Sequence, residues 1–117
     1  MDMSKTVICA ANAYEQKFYF NPLFAGLPEG IKEDLQIICV LFTEEIGGVF
    51  MFVYDEEGNL TMETDADEGD LLYDEIGSGL LVHKVKAEKQ ELFESLEMYY
   101  RIFILHEDMS SVLLNEE

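Results

Sequence analysis

Between Pro28 and Gly47 the apolar residues Ile31, Leu35, Ile38, Phe42 and Ile46 recur at intervals of four, three, four and four. That spacing places them on one side of an α-helix and is incompatible with the two-residue alternation of a strand. A stripe of this kind has to be buried, so the rest of the chain must supply an apolar surface to cover it. Pro28 suits the first turn of such a helix, Glu29, Glu33 and Asp34 suit its positive end, and Gly47-Gly48 supplies a stop. Ile37, Cys39, Val40 and Leu41 widen the apolar surface, which predicts a central helix covered on most sides.

The covering surface is predicted on both sides of this helix in the sequence. Residues 49–54, VFMFVY, and 60–64, LTMET, are rich in β-formers and flank the polar connection Asp55-Glu-Glu-Gly-Asn59, which reads as a β-hairpin whose first strand is the more interior. Leu92, Phe93, Leu96, Tyr99, Tyr100 and Phe103 recur at helical spacing opposite Glu91, Glu94 and Glu97, predicting a second long helix with an inward aromatic stripe. Leu71, Leu72 and Ile76 suggest a short helix, with Gly77-Ser-Gly79 as a flexible corner after it. Val7 to Ala10 and Phe18 to Phe20 read as two further strands, while Leu80 to Val82 is too short a run for periodicity to decide. The expectation is an α+β fold: a small antiparallel sheet packed by helices over about 28–46 and 84–105 and a short helix over about 69–76. All of residues 1–117 form one domain on this view, with 106–117 a loosely ordered tail.

With 49% hydrophobic residues in 117, the chain has enough apolar surface to fold without metals or disulfides. Its 25 acidic and 7 basic residues give a net charge of −18, which opposes direct binding to nucleic acid or to an anionic membrane. Cys9 and Cys39 lie in apolar runs with neither zinc-site spacing nor disulfide density, so they read as small buried hydrophobes. The amino terminus lacks a signal-peptide pattern and no apolar run reaches membrane-spanning length, which predicts a cytoplasmic protein.

Candidate chemistry is sparse. Ten acidic residues lie between Asp55 and Glu75, and Asp65, Asp67, Glu68 and Asp70, with Asp74 nearby, form a candidate calcium or magnesium site. An EF-hand loop starting at Asp65 would need Gly at its sixth position and Glu at its twelfth, where the chain has Asp70 and Ile76. A solvated acidic turn leading into a helix explains the same residues without a metal. His83 and His106 stand in no triad-like or zinc-like spacing, a Cys–His nucleophile would need an exposed cysteine, and Ser78 lacks the flanking residues of a nucleophile elbow or a phosphate loop. The sequence therefore points away from an enzyme and nominates no catalytic or cofactor-binding residue. Tyr14, Phe18, Tyr19, Tyr99 and Tyr100 are candidates for a self-association or partner surface.

The strings AYEQKFYFN, LFTEEIGG, VYDEEGNL, DEGDLLYDEIGSG and KQELFESLEMYY resemble a family of small uncharacterised proteins of clostridia and related Firmicutes, over a span from about Val7 to Leu105. The resemblance implies a bacterial cytosolic origin and a compact domain, and it transfers no activity. Taken together, the sequence suggests a non-catalytic acidic interaction or regulatory module that binds a protein partner or a second copy of itself. A divalent-cation protein or metal-assisted enzyme is the alternative from another class. Secretion-chaperone-like binding and mimicry of nucleic-acid charge toward a basic partner are variants of the first.

Overall fold

The computed structural model describes residues 5–104. Four antiparallel strands, β1 (Thr6–Asn12), β2 (Lys17–Phe20), β3 (Val49–Tyr54) and β4 (Leu60–Asp65), form one sheet in the order β2-β1-β3-β4. The amino-terminal strands and the β3–β4 hairpin form where the sequence predicts them. In β3 the period-two alternation puts Phe50, Phe52 and Tyr54 on one face, in register with Ala11 and Cys9 of β1 and with Thr64, Met62 and Leu60 of β4. Ile8 is an extra residue in β1 where the register shifts, and it too is buried.

The helices cover that face. In α1 (Glu29–Ile46) the predicted stripe is the buried side: Leu35, Cys39, Phe42 and Ile46 are buried, and Ile31 and Ile38 pack against the same core. Phe42 meets Phe50 at 4.4 Å between ring centroids, and Phe52 meets Phe93 of α3 (Gln90–Tyr99) at 6.0 Å. Because Phe50 and Phe52 are two residues apart on one strand, α1 and α3 lie on the same side of the sheet. The buried Tyr54 hydroxyl donates to the Leu96 carbonyl at 2.6 Å, and burial raises its pKa well above the ordinary phenol value. The Glu97 carboxylate accepts the Leu60 backbone N–H at 2.8 Å, giving a partner to a donor on the outer strand β4.

Residues 55–59 close the hairpin. Asp55 Oδ1 accepts from the backbone of both Glu57 and Asn59, which holds its carboxyl below the usual range, the Asn59 bond contributing most. Gly58 has φ +85°, and a Cβ there would run into the ring of Tyr100. Glycine is therefore required at this turn for backbone conformation and for space alike.

The carboxy-terminal half departs from expectation in three places. Residues 66–74 run as turns instead of a short helix over 69–76, and α2 begins at Glu75 and continues to Glu88. Gly77-Ser78-Gly79 is the start of that helix and not a corner. Asp74 caps it, its Oδ1 accepting the Gly77 N–H at 2.9 Å, and a Cβ on Gly77 would collide with the Asp74 carboxylate. The single helix expected over 84–105 is divided at Lys89 between α2 and α3, with one turn of π-helix from Tyr100 to Ile104 after them. An unbroken helix over 75–99 would run about 37 Å, while strands of six or seven residues span only about 20–24 Å, so the break lets both halves wrap one core. Among the described residues no helix is long and apolar enough to cross a membrane. The predicted tail at 106–117 and His106 lie outside the described residues.

Candidate functional site

The end of the sheet where β1 stops, β3 starts and β4 stops brings Asn12, Val49 and Asp65 side by side. Asn12 Oδ1 accepts from the backbone of Tyr14 and Glu15, which shapes the β1–β2 turn and turns Tyr14 toward the acidic loop. The Tyr14 hydroxyl donates to Asp70 Oδ2 at 2.5 Å and accepts the Asp67 backbone N–H at 3.0 Å. That bond to Asp70 raises the Tyr14 pKa above its ordinary value, with the Asp67 N–H working in the opposite direction.

Three of the carboxylates singled out in the sequence, those of Asp65, Asp70 and Asp74, are engaged by backbone or by this tyrosine. Asp65 Oδ1 accepts from Ala66 N, Asp70 Oδ1 from Leu72 N, and Asp74 from Gly77 N. Glu68 is exposed in the same loop. Among the described residues no three His, Cys, Asp or Glu side chains are grouped so that they could hold a metal ion.

Past Asp70 the loop is pinned a second time. The Tyr73 ring packs against Gly48, and its hydroxyl hydrogen-bonds Ser78 Oγ, itself buried at the start of α2, at 2.9 Å. With Tyr14 holding Asp67 and Asp70 on one side and Tyr73 turned inward on the other, the two residues between are left outward. Leu71 is 94% exposed and Leu72 92%. The outer side of α2 continues the surface, with Ile76 80% and Leu80 68% exposed. Sequence patterning assigns Leu71, Leu72 and Ile76 to a short packed helix and leaves Leu80 undecided between strand and helix. The missed signal was Asp74-x-x-Gly77, an N-cap that starts the helix after Leu71 and Leu72.

Helix α2 is apolar on two sides. Leu81, Val82 and Val85 pack against the core, while Ile76 and Leu80 point away from it. Beside its second half, Ile37 and Leu41 of α1 are 55% and 57% exposed and line a groove with Ile38, Leu81 and Val85, rimmed by Lys84 and Lys89 and by Glu44, Glu45 and Glu88. The expectation that α1 is covered on most sides fails along this strip, because α2 crosses α1 without closing over it.

The aromatic residues nominated as an interaction surface are spread over separate elements. Tyr14 and Tyr19 are exposed, Phe18 and Tyr99 are partly buried against the core, and Tyr100 is a core residue against Tyr54 at 4.6 Å between ring centroids. The two cysteines are buried as predicted, their sulfurs 3.7 Å apart and unbonded to each other covalently. The hydrogen bond between them, with burial second, pushes the Cys39 thiol far above the thiolate range, so it is a poor nucleophile. His83 is exposed on α2.

A model of a family of unknown function (DUF6145) matches residues 5–108. No curated protein and no solved structure matches the chain.

Proposed function

The chain belongs to that family of unknown function, which assigns it no chemistry, and we propose from its geometry that it is a non-catalytic protein-interaction module. The observation that carries this is the loop and first turns of α2, where four large aliphatic side chains stand between 68% and 94% exposed within ten residues. Isolated exposed apolar residues are ordinary, but a cluster held outward by two tyrosine anchors forms a contact surface. Full exposure of a leucine side chain that could be buried forgoes roughly 1.5–3 kcal/mol of favourable transfer. A fold that positions four of them in water is suited to burying them against something else.

Acidic loops on the same end of the molecule, Asp67, Glu68 and Asp70 among them, frame this surface and discourage indiscriminate sticking. We place the protein in the cytoplasm, where two touching, unbridged thiols are at home. The test is affinity capture from the native cell extract with the full chain as bait, beside a bait carrying Ile76→Glu and Leu80→Glu. Specific companions, a second copy included, are expected on the first and lost from the second. Identical companions on both baits would reject the surface.

A further inference from the structure

We propose that the occupant of this surface is a second copy of the same chain, joined across a two-fold axis by antiparallel α2 helices. The inference rests on the contact-surface assignment above and goes beyond it by naming the partner and the register. Three features of one helix motivate it.

The first is a projection and a recess at opposite ends. The exposed Leu71 and Leu72 precede the amino end of α2, and the groove between α1 and α2 lies beside its carboxyl half, lined by Ile37, Leu41, Leu81 and Val85. A two-fold interface repeats every contact, so a projection at one end and a matching recess at the other are satisfied together when the helices run antiparallel. The groove, about 570 Å³, has room for two leucyl side chains.

The second is charge. Glu75 and Lys86 are eleven residues apart, about three turns, and therefore lie on the same flank of the outer face. Antiparallel pairing centred near Leu80 sets Glu75 against the partner's Lys86 and Lys86 against the partner's Glu75. The three lysines at the carboxyl end of α2, Lys84, Lys86 and Lys89, which stand beside Glu88 and, along the groove, Glu44 and Glu45, then face the end carrying Asp70, Asp74 and Glu75. In a chain of net charge −18 with only 7 basic residues, three of them in this one segment balance the three glutamates around the groove, so this end lacks the acidic excess of the chain as a whole.

The third is shape. Ile76, Leu80, His83 and Ala87 recur along the outward strip, and Gly79 beside them is open, with nothing within 4 Å of where a Cβ would sit. Small residues next to large ones let two helices approach closely at this point.

Sedimentation of the full chain over concentrations up to about 200 μM is expected to show a monomer–dimer equilibrium. Ile76→Glu with Leu80→Glu weakens it by about 100-fold or more, and Leu71→Glu with Leu72→Glu by about 10-fold or more. Glu75→Lys and Lys86→Glu each weaken self-association by about 5- to 10-fold, because each places two like-charged pairs at the axis. An equimolar mixture of those two variants regains most of the association that each has lost, since in the mixed dimer every pair across the axis is again opposite in sign. All these positions are exposed, so the variants fold, which circular dichroism verifies. A monomer at every concentration, or a mixture no stronger than its components, overturns the proposal. A monomer whose captured companions still depend on Ile76 and Leu80 overturns the dimer while leaving the contact surface standing.

Discussion

Helices α1 and α2 have similar apolar content and opposite fates. In α1 the stripe at 31, 35, 38, 42 and 46 turns one side to the sheet, and the residues outside it are mostly polar, with Ile37 and Leu41 left half exposed along the groove. In α2 the core claims Leu81, Val82 and Val85, yet Ile76 and Leu80 remain on the opposite side with no cover in the described residues. A helix that is apolar all round belongs in an interior. The contrast separates apolar residues that make the fold from those the fold presents.

Substitutions that probe each class sharpen this contrast. Leu96 is fully buried at the centre of α3, and Leu96→Ala is expected to lower stability by about 2–5 kcal/mol in urea unfolding. Gly58→Ala should cost about 1–3 kcal/mol, because it strains the turn and displaces Tyr100, whose near-ultraviolet dichroism will change with it. Asp74→Ala removes the cap of α2 and is expected to cost about 1 kcal/mol, with loss of hydrogen-exchange protection confined to the first turns of that helix. Leu72→Ser, an equally large apolar deletion, should change the stability of the dilute protein by no more than about 0.5 kcal/mol. If Leu72→Ser costs as much as Leu96→Ala, the buried and the presented apolar residues do not differ in the way described.

Much of the fold was readable without coordinates, for identifiable reasons. Long amphipathic periodicity fixed α1 and the inward residues of α3, and the polar turn at 55–59 between β-rich segments fixed the hairpin. Gly77 and Gly79 misled, because glycine usually signals a break, whereas here an Asp74 cap needs Gly77 for room. The break at Lys89 carries no glycine or proline and follows from the size of the core, which no local pattern expresses. The exposed aliphatic cluster was unreadable for a related reason. Leu71, Leu72, Ile76 and Leu80 are residues whose type predicts burial, and only the Tyr14 and Tyr73 anchors, set by pairing across the sheet, show that they face outward. Conversely, Tyr100 was nominated for the surface because aromatic residues crowd that helix, while the space left by Gly58 draws it inside.

The two sulfur atoms held 3.7 Å apart join the first strand to the middle of the long helix, at a depth that water does not reach. Movement of the acidic loop leaves them sealed, and only separation of helix from sheet uncovers them. Alkylation of the native protein will therefore track whole-molecule opening, with both thiols uncovered by the same event. The protein thus carries an internal clock for its own unfolding, readable by mass without any added label.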